Sequence, residues 1–328
     1  MSERHGPALV VTRHGGSDVL AVVDRAAGSP GPGEALVEVA AAGVNFIDVY
    51  QRQGVYPGET PFILGNEAAG TVVTVGDDAE HLTEGDRVAW AMVLGSAARY
   101  VVVPADQLVP VPDAVDLEVA AAAMLQGMTA HYLVTSTYPV REGTVAVVHA
   151  AAGGVGQLLV QMLRARGARV VATAGGAEKC ATARARGADL VIDYRATDDL
   201  AGDLRAAVGD PGAHVVYDGV GKDTFDASLG ALRPRGTMVL FGASSGQVPP
   251  FDIQRLNSGG SLFLTRPTLA HHLATRTELL WRAGELLDAV ADGSLDVAVG
   301  GRYPLSDAAR AYDDLEGRRT QGKLVLVP

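Results

Sequence analysis

The glycine cluster formed by Gly153, Gly154, Val155 and Gly156 is the segment whose residue types point most directly to ligand binding. It follows an apolar run at residues 144–149 and opens a segment with helical spacing. A strand, a glycine loop and a helix in this order form the phosphate-binding turn of dinucleotide-binding folds, where helix amides attract a pyrophosphate. The pattern predicts a dinucleotide site. Its alternative is a tight turn without a ligand.

Lys179 and the glycines before it indicate which dinucleotide binds. The next strand pattern spans residues 169–173 and is followed by Gly175, Gly176 and Lys179, with no acidic residue at the strand end. NAD sites usually carry an acidic side chain there for the ribose hydroxyls, whereas a lysine neutralises the 2′-phosphate of NADPH. The segment therefore favours NADPH. The alternatives are that Glu178 binds the ribose and that Lys179 is an ordinary solvated helix residue.

Alternating strand and helix patterns surround the glycine loop and predict the sheet that carries it. Between residues 144 and 241, short β-branched runs alternate with helical segments, as in a doubly wound parallel sheet. A helix over residues 113–133, broken near Gly127, precedes this region and marks a domain junction. Earlier still, the sequence predicts a β-barrel-like region with strands at residues 35–39, 69–75, 87–91 and 100–103.

The predicted organisation is an α/β chain in three consecutive parts. Residues 1–120 are predicted to form a β-barrel-like domain, residues 121–260 a Rossmann dinucleotide-binding domain, and residues 261–328 a return to the first domain. The return is expected because the apolar run at residues 324–327 needs strand partners, which the β-rich region offers at an edge.

The composition excludes several classes of protein. The chain has 328 residues, a formal net charge of −11 and a pI near 5.1, so long-range electrostatics repel nucleic acid. Cys180 is the single cysteine, which excludes an intrachain disulfide framework and a thiolate-rich zinc site. No secretory signal is evident, and the apolar runs fall short of the roughly 20 residues of a membrane-spanning helix. We expect a cytoplasmic protein without nucleic-acid or membrane partners.

Ordered motifs along nearly the whole chain carry a family resemblance. The earlier motifs are Ala42-Gly43-Val44-Asn45-Phe46-Ile47-Asp48, Gly85-Asp86-Arg87-Val88 and the segment from His149 to Gly156. The later motifs are Val216-Tyr217-Asp218, Phe241-Gly242, Thr265-Arg266-Pro267 and Gly322-Lys323. With these motifs the chain resembles the zeta-crystallin-type, zinc-free quinone oxidoreductases of the medium-chain dehydrogenase/reductase superfamily. The resemblance implies a GroES-like β domain, a Rossmann domain, NADPH as cofactor and assembly into a homodimer.

The resemblance also implies which residues form the site. Asn45, Tyr50 and Tyr56 match residues that line the nicotinamide and acceptor region, and they are the candidate catalytic residues. The candidate cofactor-binding residues are Asn45, Tyr50, Thr129, Gly153, Gly154, Val155, Gly156, Gly175, Lys179, Tyr194, Phe241, Ala243 and Arg318. Two positions depart from the family. Gly176 stands where a hydroxyl residue is common, which predicts a weaker preference for NADPH over NADH, and Ala243 stands where asparagine is common.

No metal site is predicted. Zinc dehydrogenases of the same superfamily carry cysteine where this chain has Asn45 and histidine where it has Asn66. Amides are poor zinc ligands beside thiolate or imidazole. The adjacent His271 and His272 do not face each other on a helix, and we expect them to be solvent-exposed or loosely packed.

A metal-free site favours electron-poor hydride acceptors, because a quinone or an enone accepts hydride without a Lewis acid. Asn45 and Tyr50 are the expected hydrogen-bond donors that position the acceptor. The alternative is that Tyr50 and Tyr56 are amphipathic core residues and that Asn45 is a turn residue.

Three functional hypotheses follow from these residues. The leading one is NADPH-dependent reduction of quinones. The second is reduction of the carbon–carbon double bond of 2-alkenals, enones or enoyl thioesters, since a tyrosine proton donor suits an enone. The third is a non-catalytic NADPH-binding or RNA-binding protein, and the acidic charge argues against RNA.

Overall fold

The computed structural model describes residues 4–328 and consists of two compact units. One unit combines the residues up to Met128 with Leu273–Pro328, and the other is the continuous segment Thr129–His272. The divisions predicted from the sequence follow residues 120 and 260, whereas the compact units divide after residues 128 and 272. The first division falls inside a helix, Leu117–Tyr132, so no turn or change of composition marks it in the sequence.

Strands and helices are numbered in chain order. The strands are β1 (His5–Val11), β2 (Leu20–Ala26), β3 (Glu34–Val44), β4 (Phe62–Ile63), β5 (Glu67–Val75), β6 (Arg87–Ala91), β7 (Tyr100–Pro104), β8 (Val109–Pro110), β9 (Val145–Val148), β10 (Arg169–Ala174), β11 (Leu190–Asp193), β12 (Ala213–Asp218), β13 (Leu232–Leu240), β14 (Phe263–Thr265), β15 (Val299–Pro304) and β16 (Lys323–Val327). The helices are α1 (Phe46–Arg52), α2 (Leu117–Tyr132), α3 (Gly154–Ala165), α4 (Ala177–Ala185), α5 (Leu200–Val208), α6 (Phe225–Ala231), α7 (Gln254–Ser258), α8 (Arg276–Ala291) and α9 (Ala308–Glu316). Within residues 4–328, none of the helices combines the length and apolar character needed to cross a bilayer.

The second unit is built on a parallel sheet of six strands in the order β11-β10-β9-β12-β13-β14. The earliest strand, β9, lies inside the sheet and the chain winds outwards on both sides of it, as in a Rossmann fold. Val147 of β9 and Val216 of β12 are fully buried in a core that also contains Leu204 of α5 and Phe225 of α6. Strands covered on both faces read as continuous apolar runs. The predicted doubly wound sheet is confirmed.

The first unit contains a larger and a smaller sheet. The larger has the order β15-β16-β3-β5-β6-β8 with β7 also paired to β3, and the smaller has the order β2-β1-β4. The four strands predicted in this region lie within β3, β5, β6 and β7. β16 pairs antiparallel with β3, with Leu324 opposite Val44 and Leu326 opposite Ala42. The last strand therefore lies beside the strand that leads directly into Asn45 and α1.

The predicted helix break near Gly127 is wrong. α2 runs through this position without interruption and is followed by a π-helical turn, Leu133–Thr137. A Cβ atom at Gly127 would lie 2.5 Å from Cδ1 of Leu286, a buried residue of α8. The glycine is explained by close packing of the two helices, because tertiary contacts override the low helix propensity of a single glycine.

Candidate active site

Glu67 is the centre of a group of buried polar side chains in the first unit. Its Oε1 accepts hydrogen bonds from Nζ of Lys323 and from Nδ2 of Asn45 (2.7 Å), and its Oε2 accepts from the backbone N–H of Leu125 (2.6 Å). The Glu67 side chain is fully buried and Lys323 is 1% exposed. A buried carboxylate is tolerated when it is both paired and hydrogen-bonded, and these contacts meet that requirement. We call Glu67, Lys323 and Asn45 the Glu67 cluster.

Gly43 makes room for the Glu67 carboxylate. It lies in β3 opposite Val325 of β16, two residues after Lys323. A Cβ atom at position 43 would overlap Oε1 of Glu67. Only glycine fits at this place, which gives a physical reason for the Gly-Val-Asn sequence that precedes α1.

Asn45 has both ends of its side-chain amide engaged. Oδ1 accepts from Nζ of Lys323 (2.6 Å), while Nδ2 donates to Oε1 of Glu67 (2.7 Å) and to the carbonyl of Gly43 (3.4 Å). Since an ammonium group only donates and a carboxylate only accepts, one orientation of the amide satisfies both neighbours. From the sequence, this amide is expected to donate a hydrogen bond to the substrate that accepts the hydride. In the structure, Nδ2 can donate to a substrate only if its hydrogen bond to Glu67 or to the carbonyl of Gly43 breaks.

Asp48 is a second buried carboxylate, and it fixes the start of α1. It accepts hydrogen bonds from the backbone N–H of Asn45 (2.8 Å), from Nδ2 of Asn66 (2.6 Å) and from the hydroxyl of Tyr312 (3.0 Å). The first bond joins the third residue of the helix to its N-cap, which is one half of a capping box. Burial raises the pKa of Asp48 to about 6, although the hydrogen bonds and the charge of Lys323 oppose the increase.

Tyr50 and Tyr56 lie together at the end of α1. The backbone N–H groups of Val55 and Tyr56 both donate to the carbonyl of Tyr50, at 2.9 and 3.3 Å. The two rings meet edge to face, with centroids 5.6 Å apart and an interplanar angle of 73°. This is a favourable arrangement for aromatic rings. The structure thus brings two of the three candidate catalytic residues into contact, while Asn45 caps the other end of the same helix.

His14 holds the loop that carries Tyr56, a role that the sequence analysis did not foresee. Its Nδ1 contacts the carbonyl of Arg52 (3.2 Å) and its Nε2 contacts the carbonyl of Gly58 (3.1 Å), so one ring spans the loop. The ring also lies against Gly54, where a Cβ atom would be 3.0 Å from Cγ of His14. No local pattern marks His14, because its hydrogen-bond partners are 38 and 44 residues away in the chain.

In the second unit, the glycine loop joins β9 to α3 as the sequence predicts. Gly153 is the N-cap of α3, the first turn begins with Gly154 and Val155, and within residues 4–328 no side chain caps this helix end. A Cβ atom at Gly156 would lie 2.7 Å from Cα of Ala151, so only glycine lets the helix pack on the loop. Uncapped amides at a helix N-terminus suit a pyrophosphate. The residues present therefore fit a dinucleotide at this loop.

A buried chain of hydrogen bonds joins the strands on either side of the glycine loop. His149 follows β9 and contacts Oγ1 of Thr173 through Nδ1 (2.9 Å) and Oγ of Ser228 through Nε2 (2.9 Å). Ser228 donates to Oδ2 of Asp218 (2.8 Å), so it accepts the hydrogen on Nε2, and Thr173 donates to Nδ1. Burial lowers the pKa of His149 and so favours the neutral imidazole, whose Nδ1 accepts from Thr173. These hydrogen bonds, which we call the His149 chain, connect β9, β10 and β12.

Asp218 also shapes the loop that follows β12. Its Oδ1 accepts from the backbone N–H groups of Val220 (2.8 Å) and Gly221 (3.0 Å). Gly219 lies against the ring of Phe241, since a Cβ atom there would be 2.9 Å from Cζ of that ring. The predicted cofactor residue Phe241 therefore lies beside this loop, at the carboxyl ends of neighbouring strands, where ligands of α/β sheets bind. Ala243, two residues further on, is buried.

Gly175 and Tyr194 are in contact at the ends of β10 and β11, because a Cβ atom at Gly175 would overlap the hydroxyl of Tyr194. Oδ1 of Asp193 accepts from the backbone N–H groups of Gly176 (2.9 Å) and Arg195 (3.0 Å). These hydrogen bonds lower the pKa of Asp193. The turn after β10 and the segment after β11 are thus joined by one carboxylate.

Arg195 is a cation that the sequence analysis did not consider. Its Nη1 lies 3.8 Å from the place that a Cβ atom of Gly176 would take, and the residue is exposed. Lys179 lies in the first turn of α4, which begins directly after Gly176. One feature of the sequence could have identified Arg195, namely its position just after a strand. The carboxyl ends of parallel strands share one edge of the sheet, so residues that follow neighbouring strands lie close together.

The other residues singled out in the sequence lie elsewhere. Thr129 is a buried residue of α2, and Arg318 follows α9 in the first unit with a left-handed φ of 54°. His271 is exposed. The ring of His272 stacks on Tyr132 at a centroid distance of 4.1 Å, so only one histidine of the pair is solvent-exposed.

Comparison with known proteins assigns the family. Residues 31–113 match the model of the alcohol dehydrogenase GroES-like domain, and residues 154–278 match the model of the zinc-binding dehydrogenases. Quinone oxidoreductase 1 of Escherichia coli is 43% identical over 320 residues, which cover 96% of this chain and 98% of that protein. The chain belongs to the quinone oxidoreductase family.

Two further matches extend over the whole length of this family member. The 2-haloacrylate reductase of a Burkholderia species is 40% identical over 329 residues, which cover 98% of each chain. The structure of a mycobacterial protein complexed with NADPH matches with a TM-score of 0.95 and 50% identity, covering 98% of this chain and 100% of that chain. These similarities confirm the resemblance and the combination of a GroES-like domain with a Rossmann sheet.

In this quinone oxidoreductase family member, the two positions that the zinc relatives use for ligands belong to the buried polar network. Asn45 is engaged by Glu67 and Lys323, and Asn66 donates to Asp48. In the part of the chain that the structure describes, no three His, Cys, Asp or Glu residues are grouped so that they could hold a metal ion.

The buried Asp48 predicts a pH dependence of stability. Its pKa of about 6 in the folded protein lies above the ordinary value of 3.8, so the fold binds a proton that the unfolded chain releases. The stabilisation is fully present below pH 3.8, the ordinary pKa of this group, and is lost as pH rises through about 6. From about pH 5 to about pH 7.5, this group should lower the free energy of unfolding by about 1 kcal/mol.

Denaturant titrations of the wild type and of Asp48→Asn at the two pH values measure this contribution. The contribution of His149 has the opposite sign, because its lowered pKa favours the fold at higher pH, but it is common to both proteins and cancels in the comparison. An equal pH dependence in the two proteins would contradict the assignment to Asp48.

Proposed function

We propose that this protein catalyses the NADPH-dependent reduction of quinones by hydride transfer without a metal ion. The observation that carries the proposal is the 43% identity with Quinone oxidoreductase 1, which extends over 98% of that protein. The uncapped start of α3 at the glycine loop supports dinucleotide binding. The similarity to a mycobacterial protein complexed with NADPH supports the choice of cofactor.

The residues proposed to hold the cofactor fall into three groups. In the glycine loop, the amides of Gly154, Val155 and Gly156 bind the pyrophosphate, and Gly153, whose own N–H donates to the carbonyl of Ala150 (2.9 Å), lets the backbone approach it. Gly175, Lys179 and Tyr194 bind the adenosine phosphate end, and the remaining contacts come from Asn45, Tyr50, Thr129, Phe241, Ala243 and Arg318. Bound NADPH supplies the hydride, and these residues hold it in place and exclude water. The His149 chain supports them, because it fixes the strands from which the loops emerge.

Arg195 joins Lys179 in this proposal as a second cation for the 2′-phosphate. Gly176 lacks the hydroxyl that is common at its position, and this was expected to weaken the preference for NADPH. The same absence of a side chain leaves the guanidinium of Arg195 close to the turn. A guanidinium presents several N–H donors to a phosphate and stays charged at all relevant pH values, so it replaces the missing hydroxyl.

Tyr50, Tyr56 and Asn45 form the proposed acceptor site. The tyrosine hydroxyls donate hydrogen bonds to the carbonyl oxygen of the acceptor, where negative charge develops as hydride arrives. Their movement is restricted by their edge-to-face contact and by the contacts of the His14 ring with the carbonyls of Arg52 and Gly58, which we call the His14 clasp. Asn45 contributes through its position, because Lys323 and Glu67 engage its amide.

Reduction of activated carbon–carbon double bonds is a second candidate function. The observation that favours it is the 40% identity with a 2-haloacrylate reductase over 98% of each chain. In this reaction carbon receives a proton as well as a hydride, and Tyr50 or Tyr56 can deliver that proton from its hydroxyl. A quinone makes no such demand, since its reduced oxygens take protons from water.

The proposed partners are a small-molecule quinone or enone and a second copy of this chain, in the cytoplasm. The net charge of −11 disfavours the RNA-binding alternative. For the second copy, the relevant feature is β14, an edge strand of the six-stranded sheet whose Phe263 is 61% exposed. An edge strand with an exposed aromatic residue is a template for pairing with another strand.

A panel of quinones and enones tests the proposed reaction. We expect NADPH to be consumed with quinones and a hydroquinone to be formed. A quinone needs only the hydride from the site, because its reduced oxygens take their protons from water. Cofactor absorbance and product identity are followed together. A saturated carbonyl product from enones, with slow turnover of quinones, would establish the second candidate instead. Absence of NADPH consumption with every acceptor would refute both.

Lys179→Ala and Arg195→Ala test the 2′-phosphate site. Each should raise the Michaelis constant for NADPH about tenfold while changing that for NADH little, since a hydrogen bond to a charged group is lost. Arg184→Ala is the matched control, because this residue is an exposed cation in the last turn of the same helix α4. Equal effects of a substitution on NADPH and NADH would remove that residue from the phosphate site.

The substitution Phe263→Glu tests whether two copies of the chain associate through β14. Wild-type protein should have a native mass of two chains by light scattering, and the substitution should convert it to single chains, because a charge at the paired edge blocks strand addition. Val22→Glu serves as the control, since Val22 is an exposed apolar residue of another edge strand, β2. Wild-type protein that is already monomeric would refute the proposal.

A further inference from the structure

Lys323 is a buried cation that the proposed reaction does not use directly. It is the first residue of β16, and only 1% of it is exposed. Its ammonium group donates to Oε1 of Glu67 and to Oδ1 of Asn45 (2.6 Å). In the sequence, Lys323 stands out only as part of the Gly322-Lys323 motif near the end of the chain.

The stability of the protein does not explain why this ion pair is present. Removing a carboxylate and an ammonium group from water is expensive, and apolar residues of similar volume often stabilise a core as well or better. What the pair offers is a fixed geometry, because each charged group restricts its neighbours to one hydrogen-bonding pattern. Here the neighbour that is restricted is the side-chain amide of Asn45.

The contacts continue from Asn45 to the proposed acceptor residues. Asn45 is the N-cap of α1, and its backbone N–H donates to Asp48 in the first turn of that helix. The same helix carries Tyr50, whose carbonyl accepts the backbone N–H of Tyr56. The position of both tyrosines therefore depends on how the start of α1 is held.

We propose that Lys323 is a positioning residue for the reaction, which acts through the Asn45 amide to hold α1, and with it Tyr50 and Tyr56, in place. The inference rests on the proposed function for its kinetic consequence. Its structural content, the immobilisation of the segment from Asn45 to Tyr56, is independent of the reaction. The competing role is simple neutralisation of the Glu67 charge.

The paired substitution Lys323→Met with Glu67→Gln separates the two roles. It removes both charges together and leaves no unpaired buried ion, so it is expected to fold even if Lys323→Met alone does not. If Lys323 positions Asn45, the paired variant folds as the wild type does, yet its kcat falls on the order of a hundredfold through displacement of the tyrosines. If Lys323 only neutralises Glu67, kcat is unchanged, and the proposal is overturned.

The action through Asn45 is tested by a double-mutant cycle. Asn45→Ala and the paired substitution should each lower kcat, and their combination should lower it no further than the larger single effect, because residues of one chain of contacts are not additive. Additive losses in kcat would overturn the proposal. Lys222→Met is the control for loss of a lysine, since Lys222 is exposed, and it should leave kcat unchanged.

Hydrogen exchange supplies a readout that does not require turnover. In the paired variant, amides of residues 45–56 should exchange faster than in the wild type, while amides of residues 149–165 in the second unit should not change. Unchanged exchange at residues 45–56 would overturn the proposal whatever the activity. Absence of quinone and enone reduction in wild-type protein would instead refute the proposed function and leave the exchange result to decide the positioning role.

Discussion

The burial of the Glu67 carboxylate is the constraint on which the first unit depends. A charge without water must receive a cation and enough hydrogen bonds, and these arrive from separate parts of the chain. Lys323 comes from β16, Asn45 from the start of α1, and the amide of Leu125 from α2. Gly43 completes the arrangement by leaving space. The two buried oxygens of the Glu67 carboxylate therefore fix how β16, α1 and α2 are placed relative to one another.

The second unit follows the same logic around Asp218. This carboxylate accepts hydrogen bonds from Thr224 and Ser228 at one oxygen and from two backbone amides at the other. Through Ser228 it also fixes His149 at the entrance to the glycine loop. Asp218, Ser228 and His149 thus satisfy one another internally. The amides at the start of α3 are left for a ligand.

The sequence predicted those features that have a local pattern. Strands such as β6, the Rossmann alternation and the glycine loop were recognised because each occupies a short stretch with a characteristic spacing or composition. The Glu67–Lys323 pair, the His14 clasp and the His149 chain were missed, because their members are far apart in the chain and pair through tertiary structure alone. Gly127 was misread for a related reason. A glycine that permits close packing looks, in sequence, like one that ends a helix.

The separation of Glu67 and Lys323 has a consequence for the order in which the polypeptide matures on the ribosome. The two residues are 256 positions apart, and the continuous segment Thr129–His272 lies between them. Translation therefore delivers the carboxylate long before its counter-ion, whereas the Rossmann segment emerges as one continuous stretch. N-terminal regions usually fold first during synthesis. In this protein we instead expect the middle of the nascent chain to acquire its native packing first, because the earlier β-rich part needs its last strand.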